Sequence, residues 1–264
     1  MPTNEPHRHR RVAESFGADA ERYDRARPRY PAELIERIVA AAPGRAVLDV
    51  GCGTGIASRQ FKDAGAEVLG VEPDARMADL AGRHGIEVDV ATFETWDPAG
   101  REFDAVVAAQ AWHWIDPVAG AAKAAQVLRP GGPLTVFWNA QQPPSEVADA
   151  LATACRRVIP DAPIDFGSFT KSAVDVYTPG LDKTAEGMRQ TDAFGEPDRW
   201  RFDWEWTYTR DAWLDQLPTF GVLTHLPPDK LAEVAEVVGP AIDRLGGAFT
   251  MAYTTLAISA PRRR

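Results

Sequence analysis

The sequence has little with which to cross-link itself. Of its 264 residues only two are cysteines, Cys52 and Cys155, and neither sits in a pairing or metal-ligand pattern. That excludes a disulfide framework and a zinc site, and it suits a reducing compartment. Long hydrophobic runs are missing too. No segment approaches the ~20 apolar residues that span a bilayer, and the polar, arginine-rich start carries no apolar leader core. A soluble, cytoplasmic protein without a membrane partner is expected. The chain also lacks a basic excess, its formal net charge being -9. A protein that wraps nucleic acid needs a basic face to displace phosphate counterions, so that class of partner is excluded. The short runs "HRHRR" and "PRRR" read as solvated tails. Internal repeats are absent.

What is present is ordinary globular material, 45% hydrophobic and 25% charged, enough for one large α/β domain with embellishments. Between residues 30 and 140, helix-period and strand-like segments alternate, which predicts a parallel sheet with helices on its faces. The strands are "AVLDV", "AEVLGVE", "IEVDVA", "FDAVVAA" and "GPLTVFW"; amphipathic helices precede and separate them. Beyond residue 140 a helix, "SEVADALATACRRVI", is followed by an irregular, Pro/Gly/Asp-rich stretch reaching about Pro197. "RFDWEWTYT" alternates Phe202, Trp204, Trp206 and Tyr208 against polar residues, the pattern of a strand with one wet face, and that aromatic row is read as core. A helix interrupted by Pro240 and a last strand, "AFTMAYTTLAIS", close the chain.

The chemistry concentrates after the first strand. Asp49 is followed by Gly51, Gly53 and Gly55 and then a helix, so backbone N–H groups and a helix N-terminus can approach a ligand without Cβ obstruction. The dinucleotide fingerprint is G-x-G-x-x-G; here the third glycine comes one residue early, which disfavours a pyrophosphate pocket. Glu72 closes the second strand just before Pro73, at the roughly twenty-residue offset where an acidic side chain meets a ribose. The expected ligand has a ribose and needs no phosphate cradle.

Taken together, "VLDVGCGTG", "VEPDARM", "FDAVVAAQAWHWID" and "VLRPGG" resemble, in order and spacing, the class I S-adenosylmethionine-dependent methyltransferases over residues 46 to 140. The resemblance implies an α/β, Rossmann-like seven-stranded sheet of order 3-2-1-4-5-7-6 with its last strand antiparallel and helices on both faces. It implies S-adenosyl-L-methionine as cofactor, with the loop from Asp49 to Gly55 along its methionyl and ribose parts and Glu72 on the ribose hydroxyls. Thr92 and Phe93 would border the adenine, and Pro73 and Gln110 complete the cofactor set. Many relatives carry an aspartate where this chain has Thr92, so that contact is left to a hydroxyl or to the backbone. The Arg/Tyr-dense segment "FGADAERYDRARPRYP" resembles the N-terminal lid of small-molecule methyltransferases such as those acting on trans-aconitate. Tyr23, Arg27 and Tyr30 would then meet the methionyl carboxylate.

The expected layout is a lid over residues 1–31, a cofactor-binding core over 32–140, an insertion over the acceptor site at 141–200, and strands and helices completing the domain at 201–264. His113 stands beyond the fourth strand, where α/β enzymes place ligand-facing groups. It could take a proton from an attacking hydroxyl or amine, or serve as a structural residue between two tryptophans, and both readings stand open. Trp112, Trp114 and Trp138 are candidates for the acceptor pocket, where aromatic faces also attract a sulfonium. His225 reads as surface. The resulting expectation is methyl transfer to a small-molecule acceptor, with O-methylation of a carboxylate favoured. The rivals are a nucleotide-dependent oxidoreductase on the same sheet and a cofactor-binding protein without catalysis.

Overall fold

A computed structural model of the chain describes residues 16–162 and 166–264. The strands are β1 (Ala46–Val50), β2 (Glu67–Glu72), β3 (Glu87–Val90), β4 (Ala105–Ala109), β5 (Pro133–Gln142), β6 (Asp198–Thr209) and β7 (Ala248–Pro261), in one seven-stranded sheet of order 3-2-1-4-5-7-6. β1 pairs in parallel with β2 and β4, β2 with β3, and β4 with β5. β7 reverses that sense: Thr135 Oγ1 meets Ser259 Oγ at 2.8 Å and Thr255 Oγ1 donates to Asn139 at 2.6 Å, so β7 descends as β5 advances. The expected order and the antiparallel last strand are both observed.

The strand positions follow from burial. Val47, Leu48 and Val50 are almost wholly buried, as in a strand covered on both faces. β3, at the sheet edge, keeps Glu87 and Val90 exposed. Helices α1 (Ala20–Ala26), α2 (Ala32–Ala41), α3 (Ile56–Asp63), α4 (Ala75–Arg83) and α5 (Pro117–Val127) alternate with the strands. Asp74 and Asp116 cap α4 and α5 by accepting first-turn N–H groups at 2.8–3.0 Å, each cap stabilising by about 1 kcal/mol.

The chain groups into two compact units. One comprises residues 28–139, 179–202 and 255–264. Its core joins Leu34, Ile38, Val47, Phe61, Val107 and Phe137, and full burial of each such side chain stabilises by roughly 1.5–3 kcal/mol. The other unit comprises 16–27 of the described residues, 140–178 and 203–254. It contains α1, α6 (Ser145–Val158), α8 (Arg210–Gln216) and α9 (Pro228–Arg244), with Leu151, Tyr208, Trp213, Val238 and Met251 in its core.

Two elements differ from the sequence reading. The stretch expected to be irregular contains α7 (Ala173–Gln190), which runs through Pro179. Past the proline, Leu181, Thr184, Ala185 and Met188 are buried, an i, i+3/i+4, i+7 stripe that outweighs one lost backbone hydrogen bond. α8 was not expected; Thr209 caps it by accepting the Ala212 N–H at 3.2 Å. In the aromatic row, Tyr208 is buried and Phe202 and Trp204 half-buried, whereas Trp206 is 57% exposed. Cys52 and Cys155 are buried free thiols. Among the described residues no helix is long and apolar enough to cross a membrane, and no cluster of His, Cys, Asp and Glu could hold a metal.

Candidate functional site

Because β1 to β5 are parallel, their carboxyl ends share one edge, and the chain turns outward in opposite directions on the two sides of β1. That switch point is where open α/β sheets bind ligands. Gly51, Gly53 and Gly55 all have positive φ, at 67°, 56° and 82°, a conformation that costs other residues about 1–2 kcal/mol. Gly51 has a further reason to be glycine, since a Cβ there would lie 2.5 Å from that of Ala111.

The loop's N–H groups are largely spent within the protein. Gly51 and Cys52 donate to the Val71 carbonyl and Gly55 to that of Cys52. Gly53 donates to Glu72 Oε2 at 2.9 Å. A phosphate cradle needs such donors free and convergent, so this loop is poorly suited to a pyrophosphate. Glu72 is instead an anchored acceptor. Its Oε1 takes the Asp74 N–H at 3.0 Å, and a carboxylate with about four lone-pair sites still has two for other donors. Burial pushes the Glu72 carboxyl up to about 7.

Asp49 is wholly buried, accepts the Ser58 hydroxyl on Oδ2 at 2.6 Å, and has no hydrogen-bond partner on Oδ1. Burial raises its pKa to about 6. Thr54 Oγ1, in the same loop, is a second buried polar atom without a partner. Buried polar groups are ordinarily hydrogen-bonded, and exceptions invite a ligand explanation. Ser58 was not singled out in the sequence; its signal was the polar residue facing inward from an otherwise apolar helix stripe.

At the end of β4, Gln110 has a φ of 58°, held by its N–H donating to the Phe137 carbonyl at 2.9 Å. A left-handed non-glycine residue at a strand's carboxyl end is the kind of strain that accompanies function. Asn139, also missed, accepts the Thr255 hydroxyl and donates to the Arg29 carbonyl at 3.0 Å. After β3, the Thr92 hydroxyl lies 2.8 Å from that of Thr95, so its side chain is already engaged. Phe93 is buried with its ring 6.3 Å from those of Trp96 and Trp112. Pro73 is exposed, and Tyr30 is clamped by Gln60 through hydrogen bonds of 2.9 and 2.8 Å.

Of the tryptophans, Trp112 and Trp138 are buried and Trp114 is half-buried. Trp138 donates from Nε1 to His113 Nδ1 at 3.3 Å. That hydrogen bond occupies the His113 Nδ1 lone pair and weighs against a proton-acceptor role in this arrangement. With Nδ1 taken, the neutral ring carries its proton on Nε2 and presents a donor there. Desolvation also lowers its pKa to about 4, so it is a weak base.

Tyr23 and Arg27 belong to the other unit. The Arg27 guanidinium lies between the rings of Tyr23 and Phe220, 5.0 and 5.1 Å from their centroids, and Nη2 donates to the Thr219 carbonyl. In the expected lid, residues 1–15 lie outside the described residues. The remainder forms a 3-10 turn and α1, with Arg22 and Arg25 paired to Asp215 at 3.1 and 2.9 Å.

The chain is similar to known proteins in sequence and in fold. Residues 47–132 match the model of a methyltransferase domain. An uncharacterized methyltransferase of Mycobacterium bovis is 41% identical over 128 residues, 47% of this chain and 52% of the relative. A malonyl-[acyl-carrier protein] O-methyltransferase of Pseudescherichia vulneris is 34% identical over 131 residues, 47% of this chain and 51% of its own. The chain thus spans about half the length of these curated relatives. A solved structure from Anaeromyxobacter dehalogenans, described as a type II methyltransferase, superposes with a TM-score of 0.64 at 25% identity, covering 89% of this chain and 97% of that one.

Proposed function

We propose that this chain is an S-adenosylmethionine-dependent methyltransferase acting on a small-molecule acceptor, with transfer to a carboxylate oxygen as the favoured reaction. The observation that carries the cofactor assignment is Glu72, fixed by the Gly53 and Asp74 N–H groups with lone pairs left for the two hydroxyls of a ribose. The glycine-loop donors are used internally, which disfavours the rival dinucleotide-dependent oxidoreductase. In this proposal Asp49, Gly51, Gly53 and Gly55 line the cofactor's methionyl and ribose side, and Thr92, Phe93, Pro73 and Gln110 border the remainder. The small-molecule subtype resembling trans-aconitate methyltransferases and a reducing, cytoplasmic setting are parts of the same reading. O-methyltransferases among the relatives support oxygen as the acceptor atom.

When bound, the cofactor supplies an already activated methyl group on a sulfonium. The protein's share is to hold the acceptor in line and exclude water. Trp112 and Trp138 close that side with apolar surface. His113 Nε2 is available to orient an acceptor oxygen by donating to it, and no residue needs to remove a proton from a carboxylate that is already ionised.

Calorimetric titration with S-adenosylhomocysteine tests the assignment. Wild type is expected to bind, and Glu72→Ala to lose roughly 1.5–3 kcal/mol, one to two decades in Kd. Unchanged affinity in the variant, or preference of the wild type for NAD(H), refutes the ribose assignment. Turnover of labelled donor on an acceptor from a metabolite extract separates an enzyme from a binding protein.

A further inference from the structure

The unit formed by residues 16–27, 140–178 and 203–254 contains a buried polar cluster that its own fold does not explain. Gln216 is wholly buried at the end of α8, its amide beside the Tyr208 and Tyr253 hydroxyls but with neither its nitrogen nor its oxygen in hydrogen-bonding geometry. Arg27 buries its Nε, also without a partner. Its cation meets no carboxylate among the described residues, and Asp215, next in sequence to Gln216, is already shared by Arg22 and Arg25. The Tyr208 and Tyr253 hydroxyls pair with each other at 2.7 Å. Burial raises the pKa of both phenols, and the Arg27 charge and the Gln216 amide are close enough to oppose that rise. The Trp213 indole N–H is a further buried donor without a partner.

The side chains packed around these groups are aromatic. Trp204 stacks on Tyr253 at 4.4 Å, and Trp213 meets Tyr208, Phe249 and Phe220 edge-on at 5.2–5.6 Å. A buried amide without a well-formed hydrogen bond is costly, and so is a half-buried guanidinium whose partners are two ring faces and the Thr219 carbonyl in place of a carboxylate, so a fold selected for stability alone would fill these positions with apolar side chains. One cation, a bifunctional amide and indole and phenol hydrogens together fit a carboxylate, with aromatic surface for an apolar body attached to it.

We infer that Arg27, Gln216, Trp213 and the Tyr208–Tyr253 pair form a recognition site for a small organic monocarboxylate carrying an apolar body. Identifying that molecule with the methyl acceptor rests on the function proposed above; the binding site itself does not.

The test uses the full chain, labelled with ¹⁵N, and reads the Trp213 indole signal, assigned with Trp213→Phe. Benzoate and hexanoate are the probes, with benzamide and hexanamide as uncharged counterparts. Either carboxylate is expected to shift the signal saturably and its amide not to do so. Arg27→Met should weaken carboxylate binding by about tenfold or more, the loss of a charge-assisted contact. Gln216→Met should weaken it too while leaving Tm unchanged or raised, because it removes two unsatisfied buried atoms. No saturable shift with either carboxylate, or equal binding by Arg27→Met, overturns the inference. So does a Gln216→Met variant that loses stability and retains binding.

A second arm titrates S-adenosylhomocysteine and 5′-methylthioadenosine, which lacks the amino-acid portion. If Arg27→Met loses affinity for the first and keeps it for the second, the carboxylate recognised is the cofactor's, and the acceptor identification is overturned. If wild type binds neither nucleoside yet binds benzoate, the methyltransferase reading fails while the carboxylate site stands.

Discussion

Two polar clusters, one in each unit, differ in how their groups are satisfied. At the ends of β1 and β2, the buried acids have partners close by in the chain. Glu72 takes the N–H groups of Gly53 and Asp74, and Asp49 takes the hydroxyl of Ser58, which leaves Asp49 Oδ1 and the nearby Thr54 Oγ1 without a partner. Around Arg27 the groups come from residues 27, 208, 213, 216 and 253, and Arg27 Nε, Trp213 Nε1 and both Gln216 amide atoms have no partner. The first cluster is a preorganised acceptor for hydroxyl donors; the second is a donor set around a cation.

The largest effect expected in the first cluster concerns its backbone. A Cβ at Gly51 would meet Ala111 at 2.5 Å, whereas one at Gly53 finds only Met77 Cε at 3.5 Å. Both have positive φ, so Gly53→Ala should cost about 1–2 kcal/mol from backbone strain alone. Gly51→Ala adds overpacking and should cost roughly 2–4 kcal/mol. Urea denaturation of both variants measures the difference. Equal costs would mean that the close approach of Ala111 does not constrain the loop.

A smaller effect is expected at His113. As an orienting donor it contributes about 0.5–1.5 kcal/mol, so His113→Gln should reduce kcat by no more than about tenfold. The pH–rate profile should show no limb in the usual imidazole range, since the ring stays neutral above its lowered pKa of about 4. A loss of two decades or more, together with such a limb between pH 6 and 7, would restore the general-base role and require the Trp138 hydrogen bond to open.

The contrast also accounts for what the sequence could tell. Asp49, the three glycines and Glu72 lie within one β-α-β unit, so their spacing is a local property and was legible, as was the strand order once the downstream motifs fell in place. The site's details were less so. The tautomer of His113 depends on Trp138, a strand away, and the support of Asp49 depends on the inward turn of Ser58. α7 was obscured because Pro179 and Gly180 read as a break, while the stripe from Leu181 to Met188 that offsets them became evident only once its burial was known. The Arg27 cluster could not be read at all: its members are separated by up to most of the chain's length, and an unsatisfied amide has no signature in sequence.

If an ionised Glu72 receives the ribose, calorimetry across pH reads it most directly. Burial raises the Glu72 pKa to about 7, and hydroxyl donors favour the charged form, so below that pH a proton must leave before S-adenosylhomocysteine binds. As pH falls from 8 to 6, Kd should therefore rise, approaching about tenfold per unit below 7, with proton release detectable from the dependence of binding heat on buffer ionisation. Glu72→Gln should bind weakly and without that pH dependence. A wild-type Kd that is flat across this range, with full affinity in Glu72→Gln, would contradict the account.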